Sequence, residues 1–130
     1  MGILVLLVFL VVAIVVIVAS IYIYTREKGR TLKMVLILVL IVALPLTWYM
    51  TSIYKWEWNE NTYTYGCPVP QVVFQRNSPE DPWLDFVGPT IILAYPMNYI
   101  LYVLPPVVVL LVLSLVANRK PNNRIKTDQQ

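Results

Sequence analysis

The fold is decided by an uncharged, apolar stretch near the start of the chain, ILVLLVFLVVAIVVIVASIYIY, residues 3–24. As an α-helix rising about 1.5 Å per residue, it matches the roughly 30 Å hydrocarbon core of a bilayer. Val and Ile weaken a helix in water, but a segment in lipid must satisfy its backbone hydrogen bonds internally. No basic region precedes the stretch and no small-residue cleavage motif follows it, which argues against a cleaved signal peptide. We therefore predict a transmembrane helix.

Two more apolar stretches follow, 34–54 and the longer 86–117. A continuous helix over 86–117 would be about 48 Å long, well beyond the hydrocarbon thickness. Prolines also interrupt it, at Pro89, Pro96, Pro105 and Pro106. We therefore expect the third span to occupy 98–117, preceded by a short outer helix or turn that Pro96 breaks.

Charge placement predicts the orientation of these spans. The hinge after the first span carries Arg26, Lys28, Arg30 and Lys33, and the chain ends with Arg119, Lys120, Arg124 and Lys126. The segment between the second and third spans has only Lys55 and Arg76. Because cytoplasmic segments near the membrane carry the excess of Lys and Arg, the N-terminus is expected outside and the C-terminus in the cytoplasm.

The predicted fold is an all-α membrane protein with three transmembrane helices, at about 3–24, 34–54 and 98–117. They form a single membrane domain over 1–117, followed by a disordered basic cytoplasmic tail over 118–130. An outer loop over 55–97, whose polar part is roughly 30 residues long, is expected to hold a small β-hairpin. We expect an integral protein of the plasma membrane, or of the inner membrane in a bacterium.

Composition excludes several classes of protein. The chain is 58% hydrophobic and 13% charged, with a mean hydropathy of +0.67, whereas soluble proteins carry about 25% charged residues. It has no His and a single Cys, so the usual ligands of haem and zinc are missing, and we expect no metal and no cofactor. The basic residues flank apolar stretches, which indicates contact with lipid headgroups and no binding of nucleic acid.

The outer loop holds the first candidate site. Aromatic residues alternate with polar ones around the turn at 59–61, and this period of two predicts a hairpin with one aromatic face. That face is either an aromatic belt at the headgroups or a platform for a partner. The candidate interaction surface comprises Trp56, Trp58, Tyr63, Tyr65 and Trp83. Further along, 72–74 is expected to form a short strand, and Cys67 is expected to be an inert thiol or to pair with another chain.

The second candidate feature is a set of prolines at matching depth in the second and third spans. Pro45, Pro105 and Pro106 each lie near the membrane midplane and free a backbone carbonyl one turn earlier. They either kink the helices around a shared cavity or act as independent kinks. Asn98 falls near the outer boundary with three tyrosines on one helical face, which predicts another aromatic belt: Tyr95, Tyr99 and Tyr102.

Function is predicted by elimination. The spans contain no ionisable residue, and no nucleotide-binding or nucleophile motif occurs in the chain. We expect a non-enzymatic protein that acts by association with other membrane subunits within the lipid bilayer, as an accessory or assembly subunit. The first alternative is a homo-oligomeric channel or transporter with a path near the midplane prolines. The second is a lipid-acting enzyme that uses acids of the outer loop, drawn from Glu57, Glu60, Glu80, Asp81 and Asp85.

Overall fold

The computed structural model describes residues 2–27, 29–86 and 90–118, which form three long helices and a small antiparallel sheet. Helices α1 (Gly2–Arg26) and α2 (Arg30–Ser52) come first, and α3 (Thr90–Asn118) comes last. The segments Ile3–Arg26, Arg30–Ser52 and Ile92–Asn118 are long and apolar enough to cross a membrane. The prediction of three such helices is confirmed, and it is consistent with an integral membrane protein.

The helices begin and end close to the predicted boundaries, with one correction in the third. Helix α3 runs without a break through Pro96, so the expected break there is wrong. A proline removes one hydrogen bond, here to the carbonyl of Ile92 in the first turn of α3. Breaking the helix would leave several backbone groups unpaired beside lipid, which costs more than the loss of one bond. At 29 residues α3 is about 43 Å long, so it extends past the hydrocarbon layer or tilts within it.

Helix α3 packs against both other helices, and the core lies along its length. The buried apolar side chains at this junction are small or branched, which lets the helices approach closely: Val16, Ala19, Ile23, Leu36, Ala43, Val103, Val107 and Leu110. Most other apolar residues of α1 point outward, and its spanning segment is only 11% buried. This outward surface is suited to lipid, because it has the composition of a helix that is apolar on all sides.

The sheet lies between α2 and α3 in the chain. Its strands are β1 (Lys55–Asn59), β2 (Thr62–Tyr65), β3 (Val72–Gln75) and β4 (Leu84–Phe86), in the order β1-β2-β3-β4 with antiparallel neighbours. The predicted strand at 72–74 is confirmed. The fold therefore contains more β structure than an all-α protein with an outer loop, because four short strands together satisfy backbone groups that two could not. Of the predicted tail, residues 119–130 lie outside the described residues.

Candidate functional site

A turn over residues 66–71, named here the docked turn, brings the sheet against the C-terminal end of α2 and the N-terminal half of α3. The backbone of Gly66 has a φ of +98°, and a Cβ built there would lie 2.7 Å from Gln71 N and from Val69 O. Only glycine fits such a position without strain. The turn closes where Gln71 N donates to Tyr65 O at 2.7 Å. Its path is therefore fixed by a residue without a side chain.

The side chain of Asn98 in α3 holds the docked turn through the backbone N–H and the carbonyl of Val69. Val69 N donates to Asn98 Oδ1 at 2.8 Å, and Asn98 Nδ2 donates to Val69 O at 3.0 Å. The same Nδ2 donates to Thr51 Oγ1 of α2 at 3.0 Å. Asn98 and Thr51 are both fully buried. Because an unpaired buried amide is costly, this side chain ties together α2, α3 and the turn.

Tyrosine hydroxyls of α3 add three more links of this kind. Tyr102 OH donates to the carbonyl of Cys67 in the docked turn, Tyr99 OH donates to Leu40 O of α2 at 3.1 Å, and Tyr95 OH is hydrogen-bonded to the hydroxyl of Ser52. Cys67 N also donates to the carbonyl at the end of α2, that of Met50, at 3.2 Å. All three hydroxyls therefore bond within the protein, while the aromatic belt expected at these tyrosines stays a prediction.

The sheet has two different faces, which corrects the predicted single aromatic face. Trp56 lies opposite Thr64, whereas Tyr63 and Tyr65 lie opposite Glu57 and Lys55. Side chains of directly opposed residues share a face, so Trp56, with Trp58 beside it, lies on the opposite side of the sheet from Tyr63 and Tyr65. Alternation predicts which residues of one strand lie on the same face. Only the pairing register decides which residues of the neighbouring strand lie on that face too. The structure therefore divides the candidate interaction surface in two.

The first side, named the tyrosine face, is an aromatic cluster with cations at its edges. The Tyr63 ring stacks on Phe74 with centroids 4.8 Å apart and meets Trp83 edge-on at 4.6 Å. Lys55 Nζ lies 4.2 Å from the centre of the Tyr63 ring, and the Arg76 guanidinium lies 4.4 Å from that of Trp83. Such cation–π contacts keep the aromatic cluster ordered while its charged groups stay in contact with water.

An ion pair also lies on the tyrosine face. Lys55 Nζ is 2.7 Å from Glu57 Oε1. The hydrogen bond from Lys55, and then its positive charge, hold the pKa of the Glu57 carboxyl below its usual range. The hydrogen bond to Glu57 in turn raises the pKa of the Lys55 ammonium. Both groups are solvent-exposed, so the pair contributes a defined pattern of charge and little stability.

Arg76 closes the end of the sheet beside a polar cleft of about 500 Å³. Its guanidinium donates to Asn61 Oδ1 at 3.1 Å, to Glu60 O at 3.0 Å and to Pro79 O at 2.9 Å. These bonds join the β1–β2 turn to the segment after β3. The cleft is lined by polar side chains: Asn59, Glu60, Asn61, Thr62, Gln75, Arg76 and Asn77.

The second side, named the tryptophan face, carries large exposed apolar side chains. Trp56 and Trp58 are 45% and 67% exposed, with ring centroids 6.1 Å apart. Pairing places Phe86 opposite Val73, and Val73 opposite Thr64, on this same face. Together with Leu84, which lies opposite Gln75, these residues place exposed apolar side chains on both edge strands, with buried Thr64 and half-buried Val73 between them.

The midplane prolines differ in their surroundings. Pro45 and Pro105 are exposed on the surfaces of their helices. Pro106 borders an apolar groove of about 240 Å³ between α2 and α3, together with Tyr102 and residues of α2 that include Val42. Neither Pro45 nor Pro105 lines this groove, and a path near the three prolines stays a prediction.

A buried acid lies between α1 and α2, at the end of the bundle away from the sheet, and the sequence did not indicate its role. Glu27 follows α1 and is 8% exposed. Ser114 of α3 donates its hydroxyl to Glu27 Oε2 at 2.8 Å, and Gly29 N donates to Oε1 at 3.2 Å. The sequence signal that could have indicated this site is that Glu27 is the single acid in a basic hinge.

Asn98 was predicted near the outer boundary from its depth, but its hydrogen-bond partners come from segments distant in sequence.

The comparisons identify no relatives. No protein-family model, no curated protein and no solved structure matches the chain. Within residues 2–27, 29–86 and 90–118, no three His, Cys, Asp or Glu side chains are grouped as a metal site would require. The class that the fold defines is therefore a small, mostly helical membrane protein with a structured sheet between its last two helices.

Proposed function

We propose that this protein is a non-enzymatic, multi-pass membrane protein that acts by association, as an accessory or assembly subunit of a larger membrane complex. The observation that carries the proposal is the attachment of the sheet to the helices through Asn98, Thr51 and Tyr102. These bonds fix the orientation of an exposed surface relative to the membrane spans. A partner that meets the sheet and the helices together finds both surfaces already in place.

Preorganisation matters because association must offset the ordering of loops and side chains at the interface. The docked turn is ordered by buried hydrogen bonds before any partner arrives, so little of this cost remains. The tyrosine face supplies the residue types that dominate binding energies at interfaces, which are aromatic residues and Arg. Its centre, Tyr63, is flanked by the Lys55–Glu57 pair and by Arg76, which would give a partner a pattern of charge to match.

The proposed orientation places the sheet outside and the α1–α2 hinge in the cytoplasm, following the positive-inside rule. Labelling of introduced cysteines with a membrane-impermeant reagent tests it, in a Cys67→Ser background. Glu60→Cys in the exposed β1–β2 turn should react from the outside only, and Thr31→Cys at the exposed start of α2 should react from the cytoplasm only. Reaction of both from one side would contradict the orientation.

Photo-crosslinking in native membranes tests the association. A photoreactive amino acid replaces Glu57 on the tyrosine face, and the matched control replaces Trp58 on the opposite face of the same strand. We expect a discrete adduct with another membrane protein from position 57 and none from position 58. The adduct should weaken when Asn98→Leu releases the docked turn, while the amount of inserted protein stays unchanged.

Three results would decide against the proposal. Equal adducts from positions 57 and 58 would show that no particular face is recognised. An adduct from position 57 that is insensitive to Asn98→Leu would show that the attachment of the sheet is irrelevant. Adducts with the mass of two copies of this chain, and no others, would favour the homo-oligomeric channel or transporter.

A further inference from the structure

The two faces of the sheet differ in charge as well as in aromatic residues. Strands β1 to β4 contain three charged residues, Lys55, Glu57 and Asp85, and pairing places all three on the tyrosine face. The tryptophan face has no charged strand residue and carries the exposed side chains Trp56, Trp58, Leu84 and Phe86. The sheet is therefore amphipathic, with a period of two along each strand.

Large exposed apolar side chains gathered on one face of a sheet are costly in water and mark a place of contact. Its chemistry favours lipid over protein as the occupant. Trp side chains are enriched at the level of lipid headgroups, where the ring is in contact with acyl chains and the indole N–H reaches water or a headgroup oxygen. Protein interfaces usually add a charged or polar rim, and the strand residues on this face supply only uncharged polar groups such as Thr62 and Gln75.

The connections to the helices place this face close to the bilayer. Both edge strands are joined to a membrane helix by a few residues, since α2 ends at Ser52 before β1 begins at Lys55, and β4 ends at Phe86 before α3 begins at Thr90. Exposed aromatic side chains continue from the last turns of α2, at Trp48 and Tyr49, through Tyr54 to the tryptophan face. Along the chain, these exposed aromatic residues thus lead from the apolar exterior of α2 to the tryptophan face.

We propose that the tryptophan face of the sheet rests on the outer leaflet of the bilayer, with its rings at the boundary between headgroups and acyl chains. The tyrosine face is then directed towards the aqueous phase. This inference concerns the opposite face from the one assigned to a protein partner, and it holds whether or not such a partner exists.

Depth-dependent fluorescence quenching of the purified full-length chain in lipid nanodiscs tests the proposal. In one variant, Trp48→Phe, Trp56→Phe and Trp83→Phe leave Trp58 as the only tryptophan. In the matched control, Trp48→Phe, Trp56→Phe and Trp58→Phe leave Trp83, which packs on the tyrosine face. Lipids brominated high on the acyl chain should quench Trp58 several-fold more than Trp83, and aqueous iodide should show the opposite order.

Other quenching patterns overturn the proposal. If iodide quenches Trp58 as strongly as Trp83 and brominated lipid does not quench it, the face is in water. If neither quencher reaches Trp58, protein covers the face in place of lipid, whether this chain, a second copy of it or the scaffold protein of the nanodisc, and the proposal fails.

A second measurement avoids tryptophan altogether. A spin label at Leu84→Cys, in a Cys67→Ser background, should be more accessible to oxygen, which concentrates in lipid, than to a water-soluble nickel chelate. A label at Glu57→Cys on the other face should show the reverse. Greater accessibility of the Leu84 label to nickel would also contradict the proposal.

Discussion

The side chain of Asn98 pairs with the backbone of Val69 much as a neighbouring strand would, accepting from its N–H at 2.8 Å and donating to its carbonyl at 3.0 Å. The two residues are separated by β3, β4 and the start of α3. One amide side chain in the N-terminal half of α3 thus helps to order a turn that contains no regular structure. The position of the sheet depends on this contact together with those that Cys67 makes with Tyr102 and Met50.

The first prediction concerns the replacement Asn98→Leu, which keeps the branched shape of the side chain, with larger methyl groups at its tips, and removes the hydrogen bonds. The N–H and carbonyl of Val69 and the hydroxyl of Thr51 lose their buried partner, at a cost of about 1–3 kcal/mol for each group that water cannot reach. We expect faster hydrogen exchange of the Val69 amide and faster proteolysis between β2 and β3. Thr47→Val is the control, because Thr47 bonds only to Ala43 O of its own helix. Unchanged exchange at Val69 would show that the turn is held by other contacts.

The second prediction concerns Gly66, which follows β2, and Gly29, which precedes α2. Gly66→Ala should destabilise the docked turn by about 1–3 kcal/mol, since φ is positive and the new Cβ would press on backbone atoms at 2.7 Å. Gly29→Ala is the comparison, because its backbone conformation is ordinary and its Cβ would meet Glu27 Oε1 at 3.3 Å, which has to move by only a few tenths of an ångström. Unfolding in detergent measures both variants. A loss at Gly29 equal to that at Gly66 would contradict the assigned strain.

The third prediction concerns the Glu27–Ser114 hydrogen bond at the hinge end. Ser114→Ala removes a buried donor to a carboxylate and should cost about 1–3 kcal/mol of unfolding free energy. A double-mutant cycle with Glu27→Gln should give a coupling energy of about 0.5–3 kcal/mol. Ser20→Ala is the matched control in α1, where the buried hydroxyl has no hydrogen-bond partner within the described residues, and it should be neutral or stabilising. Additive effects of Glu27→Gln and Ser114→Ala would show that the contact contributes nothing.

The fourth prediction concerns pH and the Lys55–Glu57 pair. The pKa of Glu57 is lowered in the folded state, so the contribution of the pair is complete above the ordinary pKa of Glu and is lost as pH falls through the lowered value. The pKa of Lys55 is raised, so the contribution is also lost as pH rises through that higher value. In Lys55→Met, an NMR titration should show the Glu57 carboxyl returning to its ordinary pKa. High salt should reduce the shift in the unmodified protein, because both groups are exposed. A lowered pKa of Glu57 that persists in Lys55→Met would exclude Lys55 as its cause.

Much of the fold followed from local patterns in the sequence. The three helices were predictable because a backbone in lipid has to bond to itself, which makes any long uncharged stretch a helix. The strand at 72–74 was predictable from its β-branched and aromatic residues. The break expected at Pro96 is absent because backbone groups freed in lipid would find no hydrogen-bonding partner. The rule that proline breaks a helix comes from helices in water, where the freed groups bond to solvent.

The candidate site was predicted only in part, because it depends on contacts between distant segments. The alternating aromatic residues were visible, but the register that puts Trp56 opposite Thr64 and Tyr63 opposite Glu57 was not. A shift of one residue would have moved every side chain of β1 to the other face. Nothing near Asn98 in the sequence indicates Val69 or Thr51 as its partners.

The sequence by itself determined that most of the chain is suited to lipid and not to water, and it determined where the apolar spans lie. Those properties follow from composition and length, which act through the transfer of each residue between water and lipid and require no partner. The tertiary structure alone decided how the outer segment is divided into two faces, how Asn98 and Glu27 are satisfied, and that Pro106 borders a groove that Pro45 does not line. Those properties depend on the pairing of groups far apart in the chain, since a hydrogen bond or a strand register is defined only when both partners are in place.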